Sequence, residues 1–180
     1  MIKSYLQTRP SRECEMNALN HPELLRNQSY INGQWVNTND GKTFPVQNPY
    51  DGSLLTELAD LGAAEAEVAI HAADKAWREW RKVSVRERSN ILLRWARLLE
   101  EHLEDNAKLL TLEQGKPLAQ AQSDTQDIVV LLEWYAGEAL RVHGQTLTPP
   151  NENLRLRTIK QPIGVVAAIA PWNYPSYLYL

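Results

Sequence analysis

The residues best suited to chemistry stand near the end of the chain. The apolar run Ile163-Gly-Val-Val-Ala-Ala-Ile-Ala170 leads into Pro171-Trp-Asn-Tyr-Pro175. Asn173 carries a neutral amide donor able to stabilise an oxyanion, and Trp172 and Tyr174 flank it with aromatic surface. The run is short, continuous and rich in β-branched residues, which suits a strand buried on both faces. Pro171 cannot donate to a ladder and restricts Ala170, so the strand should end there and spill into a tight loop. In an open α/β sheet, ligands sit beyond the carboxyl ends of strands, where residues 172–174 would lie. Pro175 has the fixed φ of a first helical position. A core strand followed by a purely structural turn has the same composition, so the residues alone leave both readings open.

The elements that must position this loop are legible upstream. Tyr30 to Val36 reads as a hairpin around Asn32-Gly33, a strong local turn signal. Asn39-Asp40-Gly41 and Asn48-Pro49-Tyr50-Asp51-Gly52 punctuate further short strands. From about Ala63 the period becomes helical, with Val68, Ala72, Ala76 and Trp80 forming a narrow apolar stripe. A second helix begins at Ser84, where Ser84 and Glu87 match the S-x-x-E capping box. Its inner face is Ile91, Leu92, Trp95, Leu98 and Leu99. Leu103 to Leu112 forms a further short helix, stopped by Gly115 and Pro117.

The longest helix runs from near Leu118 to about Val142. Ile128, Leu131, Leu132, Tyr135, Ala136, Ala139 and Leu140 give its inner face, and Gly144 its stop. Asp124 and Asp127 share one side of it; carboxylates early in a helix are favoured by the dipole, and this explains the pair more simply than acid/base chemistry. Trp134 and Tyr135 read as packing residues. After the turn Thr148-Pro149-Pro150-Asn151, the segment Leu154 to Lys160 alternates as a half-exposed strand, with Arg155, Arg157 and Lys160 on a solvated face.

Composition excludes several classes of function. The 180 residues include 19 basic and 22 acidic side chains, a formal net charge of -3, with no long basic block to bind nucleic acid or a membrane surface. No run is long enough to span a bilayer. The one cysteine, Cys14, cannot form an internal disulfide and fits a reducing, cytoplasmic setting. It stands in a polar extension, an unsuitable place for a nucleophile. Lys3, Arg9 and Arg12 are interrupted by Glu13 and Glu15 with no apolar segment following, which argues against a secretory signal and leaves Met1 and Met16 both open as the start.

Other chemical motifs are missing. The chain has no G-x-G-x-x-G and no G-x-S-x-G, and Gly115-Lys116 fails the phosphate-loop pattern because Leu110 stands where a glycine is required. His21, His71, His102 and His143 lack metal-ligand spacing, so no metal is expected. Asn27-Gln-Ser29 matches a glycosylation sequon by coincidence if the chain is not secreted.

Three segments together carry a family resemblance. Gln161 to Pro175, Thr111-Leu-Glu-Gln-Gly-Lys-Pro117, and Tyr30-Ile-Asn-Gly-Gln-Trp-Val36 with Asn48-Pro49 resemble, in order and separation, the NAD(P)-dependent aldehyde dehydrogenase superfamily. The likeness is greatest to its succinate-semialdehyde dehydrogenase branch and covers about Leu24 to Pro175, the N-terminal portion of a longer family chain. It implies an α/β fold, incomplete here: short strands and a helical pack over 24–143 after an extension over 1–23. A β-hairpin of the oligomerisation type would follow over 144–161, then the first strand and loop of the cofactor-domain sheet over 162–180. It also implies homo-oligomer pairing through the Leu154 to Lys160 strand, a sheet edge that seeks a partner.

The resemblance further implies a reaction. A cysteine thiolate attacks a small-molecule aldehyde, hydride passes to NAD or NADP, and a glutamate-activated water releases the carboxylate. Asn173 matches the catalytic amide donor, worth ~3 to 4 kcal/mol of barrier. Ile169, Ala170, Pro171, Trp172 and Asn173 match the cofactor-contacting edge, and Tyr174 matches an aromatic position facing the substrate.

The departures are as informative. The family's nucleophile, general base and ribose-holding residues belong after Pro175. The family continues there into a helix ending in a basic residue, whereas this chain reads Ser176-Tyr-Leu-Tyr-Leu180, as a frameshift or early stop would leave it. No arginine follows the Trp-Asn pair. Cofactor binding by this chain alone is therefore not expected. Two functions follow: the N-terminal fragment of a working aldehyde dehydrogenase, or a non-catalytic remnant that pairs with a homologue. In either case Ile163 to Ala170 should be left as an exposed apolar edge.

Overall fold

The computed structural model describes residues 19–178; the extension with Cys14 and Met16 and the final two residues lie outside the described residues. A single 3-10 turn at Pro22–Leu24 precedes two hairpins. In the first, β1 (Ser29–Ile31) pairs antiparallel with β2 (Gln34–Val36), with Tyr30 opposite Trp35. Asn32 and Gly33 close it at φ 51° and 81°, the left-handed pair of a type I′ turn that the sequence predicts. In the second, β3 (Thr43–Gln47) pairs with β4 (Leu54–Ala59), and the register slips between Val46 and Gln47.

Four helices follow. Helix α1 (Ala63–Trp80) begins where the Glu65 carboxylate accepts the Gly62 N–H at 3.0 Å and the Asn39 side-chain amide at 2.8 Å, which ties the helix start to the preceding turn. Its expected stripe is not buried: Val68 and Trp80 are 58% and 45% exposed. Of that stripe Ala72 is half-buried; the other half-buried side chains of the helix are Glu65, Ala69, Ala73, Asp74 and Trp77. The helix leans on β1 and buries no residue fully, so the hairpin's position, not the apolar pattern, decides which side faces inward.

Helix α2 (Val85–Glu101) starts at Ser84, whose Oγ accepts the Glu87 N–H at 3.1 Å. The Glu87 carboxylate bonds to Arg94 at 3.1 Å, so only half of the expected capping box is formed. Ala96 is buried with Leu92, Trp95 and Leu99 packed about it, but Leu98 is 55% exposed. Two residues beyond Ala96, Leu98 lies about 200° round the helix and cannot share its face.

Helix α3 (Leu103–Gln114) and α2 both pack against α4 (Leu118–Ala139). Ala121, Ile128, Val129, Leu132 and Ala136 form the buried side of α4. At Ala96, Ala107, Ala121 and Ala136, all buried to 1% exposure or less, small side chains allow the helices to approach closely. Tyr135 and Leu140 point outward, and Trp134 stacks edge-on against Tyr135 at 5.0 Å on the surface instead of packing in the core.

Helix α4 ends sooner than its periodicity suggests, as the Leu140 and Arg141 amides fold back onto the Gly137 and Glu138 carbonyls. Gly144 therefore does not stop it. That glycine is needed by the hairpin beyond, where an added Cβ would fall 1.8 Å from the Thr158 carbonyl oxygen. The hairpin itself is short: β5 (Thr146–Leu147) pairs with β6 (Leu156–Arg157) alone, not with the whole expected strand from Leu154 to Lys160.

The run Ile163 to Ala170 forms no strand. Ile163, Val166 and Ile169 are 90%, 66% and 96% exposed. A strand needs a neighbouring edge for its N–H and C=O groups, and the described residues offer none beside this run. The expectation of a buried strand is thus overturned, while that of an exposed apolar segment is met.

A buried carboxylate anchors the start of the described chain. Asp105, 1% exposed on α3, accepts the Asn20 and His21 backbone N–H groups at 2.9 and 2.8 Å. Burial is the largest influence on its acidity and works against the charge. The two N–H groups and Lys108 together outweigh it and hold the carboxyl below its ordinary value of 3.8. A carboxyl held low in the folded state stabilises the fold above its unfolded value, and that stability is lost as the pH falls through the folded one.

Two outcomes are expected. Asp105→Ala should lower unfolding stability by about 1–3 kcal/mol at neutral pH in a denaturant titration, with the gap to the unaltered chain closing under acid. Equal stability at neutral pH would contradict the anchoring role. On size-exclusion chromatography the chain should self-associate through its exposed apolar run, and a clean monomer that unfolds cooperatively would oppose that expectation.

Candidate functional site

Two of the segments singled out in the sequence meet at one lysine, and the Asn48-Pro49 turn touches the residue before it. Helix α3 ends at Gly115, whose N–H donates to the Thr111 carbonyl at 2.8 Å and whose φ of 73° turns the chain sharply. An added Cβ at Gly115 would stand 3.0 Å from Pro49 Cγ, so the α3 end and the Asn48-Pro49 turn touch. The turn delivers Lys116 beneath residues 173–178.

Lys116 is engaged on three sides. Its Nζ forms an ion pair with Asp124 Oδ2, the two side chains being only 10% and 9% exposed. It donates to the Asn173 carbonyl oxygen at 2.9 Å. It also stands 4.3 Å from the centroid of the Tyr174 ring, a cation–π contact. An ammonium has three donors and no acceptor, and two donors are spent here on oxygens fixed by the fold.

The segment beyond is docked and not extended. Tyr177 and Leu178 donate to the Tyr174 carbonyl at 3.3 and 3.2 Å, forming a turn where Pro175 suggests a helix start. Tyr177 packs against the cluster of Ala96, Ile128, Val129 and Leu132, and its ring lies edge-on to Tyr174 at 6.2 Å. Ser176 and Tyr177 are both half-buried, Tyr177 against the helical pack.

The predicted site residues divide into two groups. Asn173 and Tyr174 are brought to Lys116, with Asn173 still exposed and Tyr174 half-buried. Ile169, Pro171 and Trp172 stand in solvent, Ile169 at 96% and Trp172 at 80% exposure, and Ala170 is half-buried. With nothing covering Ile169 and Trp172, a dinucleotide would meet this edge from one side only, and the described residues do not by themselves fit one. A groove of about 410 Å³ elsewhere is lined by Trp80, Arg88, Ile91 and Lys160 among others, and none of the predicted site residues enters it. Among the described residues no three His, Cys, Asp or Glu side chains are placed to hold a metal, and no helix is long and apolar enough to cross a membrane.

Asp124 and Asp127 part company. Asp127 is exposed, while Asp124 is buried against Lys116, a partner that helix-dipole reasoning did not supply. The sequence held a signal for it: Asp124 falls among Ala121, Thr125 and Ile128 on the buried side of α4, and a carboxylate on such a side requires a cation.

Comparison with known proteins gives this arrangement a context. Residues 35–180 match the sequence model of the aldehyde dehydrogenase family. A 3-sulfolactaldehyde dehydrogenase of Pseudomonas putida is 46% identical over 157 residues, 87% of this chain and 32% of its own length. An NADP+-dependent succinate-semialdehyde dehydrogenase of Escherichia coli K12 is 44% identical over 158 residues, 88% of this chain and 33% of its own. The crystal structure of a succinate-semialdehyde dehydrogenase from Burkholderia pseudomallei superposes with a TM-score of 0.86 at 43% identity, over 89% of this chain and 33% of that one. The chain spans about a third of the length of the curated relatives it matches. Its α/β fold of short strands and four helices is that of their N-terminal portion.

The junction at Gly115 makes a direct prediction. Gly115→Ala should destabilise the chain by about 1–2 kcal/mol, from the left-handed backbone conformation alone. Contact with Pro49 should add to this. Unchanged thermal unfolding would show that the α3 end does not need the glycine.

Proposed function

On the footing that this chain belongs to the aldehyde dehydrogenase family, we propose that it is the N-terminal part of an NAD(P)-dependent enzyme that oxidises an aldehyde to a carboxylate, with Asn173 as oxyanion donor. The observation that carries this reading is the tether at Asn173: its carbonyl is held by Lys116 at 2.9 Å while the residue stays exposed. Attack of a nucleophile on an aldehyde turns the carbonyl oxygen into an anion. A neutral N–H donor on a backbone already fixed in place stabilises that anion without reorganising during the reaction.

The nucleophile and general base belong, on this reading, to sequence beyond Pro175, since Cys14 is the one cysteine here. A nicotinamide dinucleotide would accept the hydride when bound. Ile169 to Asn173 would form one edge of its site and Tyr174 would face the aldehyde. For the substrate we favour succinate semialdehyde. The named substrates of the two curated relatives, a sulfolactaldehyde and succinate semialdehyde, are both short aldehydes ending in an acid group. Either NAD or NADP suits the residues present.

The remaining assignments follow the same reading. Residues 24–143 and 162–180 would belong to the cofactor-binding domain, and 144–161 to an arm that pairs with a second subunit. Leu154, Leu156 and Ile159 leave that arm 41%, 38% and 68% exposed, which suits a surface awaiting a partner. A reducing cytoplasm would keep the catalytic thiol free.

A hybrid joining residues 24–178 to the C-terminal two thirds of the E. coli relative tests the central assignment. It should oxidise succinate semialdehyde, and Asn173→Ala should lower kcat by about 10²–10³-fold with little change in KM. A folded, active hybrid indifferent to Asn173→Ala would refute the oxyanion role.

A further inference from the structure

We propose that Lys116 and Asp124 form a positioning pair, which fixes the backbone of Asn173 and the ring of Tyr174 and so sets where the Asn173 amide is presented. The inference rests on reading Asn173 as the oxyanion donor, and it assigns a role in that reaction to residues outside the Trp-Asn loop.

The geometry separates this role from that of an ordinary staple. A lysine whose only duty was to join the α3–α4 connection to α4 would be satisfied by Asp124 and water. Lys116 instead directs a second N–H to the Asn173 carbonyl and presents its charge to the Tyr174 ring. Asp124 keeps the ammonium from swinging away, because a buried cation does not leave a buried carboxylate. Gly115 fixes the direction of approach through its left-handed turn. The loop is thus held at two ends, by Lys116 at 173–174 and by Tyr177 in the α2–α4 cluster. The turn between them contains two backbone bonds, both to the Tyr174 carbonyl. A turn this short does not hold its shape unaided. The side-chain amide of Asn173 is one residue's rotamer away from the tethered carbonyl, so freedom gained by the backbone passes directly to the donor.

Amide hydrogen exchange of the chain itself, read by mass spectrometry at Tyr177 and Leu178 and across α3 and α4, tests the pair without any catalytic assumption. Lys116→Met should speed exchange at Tyr177 and Leu178 by about tenfold or more, as expected when a charged hydrogen-bond donor is lost. Lys116→Arg, which keeps a cation, donors and a group that stacks on the ring, should restore slow exchange. Lys116→Met alone leaves Asp124 buried without a partner and risks unfolding. The double variant Lys116→Met with Asp124→Leu removes both charges and should keep the helices protected while the turn loosens. Faster exchange confined to the turn, with rescue by arginine, supports the inference. In the double variant, exchange rising equally in α3 and α4, or a turn left unchanged, overturns it. An indifferent Asn173→Ala in the hybrid enzyme would instead remove the oxyanion reading, leaving the tether itself standing.

Discussion

A buried ammonium is the constraint on which the rest of this structure depends. Lys116 cannot leave water without compensation, and an unpaired charge at that depth would cost several kcal/mol. Asp124 supplies the opposite charge from α4, Asn173 supplies a carbonyl from the chain's last segment, and Tyr174 supplies a ring. The partners come from two stretches of sequence, α4 and residues 173–174, and Lys116 itself stands in a third. Satisfying one cation therefore fixes three stretches at once. The αL turn at Gly115 that aims the lysine also brings the end of α3 against Pro49, so a fourth stretch is drawn in.

The helical pack gives that constraint a rigid frame. Helix α4 carries Asp124 on the same side as the apolar cluster against which Tyr177 docks, so the ion pair and the hydrophobic core position the same terminal turn. Asp105 performs a comparable task at the other end, its carboxylate tying Asn20 and His21 to α3 by accepting their two backbone N–H groups. What lacks a frame is the run from Ile163 to Ala170, whose exposure follows from having no strand beside it. The fold therefore holds the two flanks of this run, the β5–β6 hairpin and the Asn173 loop, better than the run itself.

Local chemistry was legible wherever a residue type carries its own conformation. Asn32-Gly33 marked the first hairpin, Ser84 the start of α2 and Gly115 the end of α3, because those side chains, or the lack of one, act on backbone within a few residues. The long apolar period of α4 was readable for a similar reason. Readings failed where a distant neighbour decides. Val68 and Trp80 form a stripe, but β1, against which α1 leans, leaves them exposed. Ile163 to Ala170 has a strand's composition, but pairing needs an edge from elsewhere. Lys116 and Asp124 stand eight residues apart across a turn, a separation that no helical or strand period brings together. Of the candidate site, the loop could be identified from its own residues and its likeness to a family. Beneath it, the sequence placed Asp124 on the buried side of α4 but did not say which cation meets it.

Competitive amine labelling of the chain, followed residue by residue, measures the burial of the Lys116 ammonium directly. Lys42 and Lys82 are ion-paired at the surface with side chains 71% and 62% exposed, and serve as references that share the pairing but not the burial. Lys116 should react far more slowly than either, and replacing Tyr174 by alanine should raise its reactivity toward theirs. Labelling of Lys116 at the rate of Lys42 and Lys82 in the unaltered chain would contradict that burial.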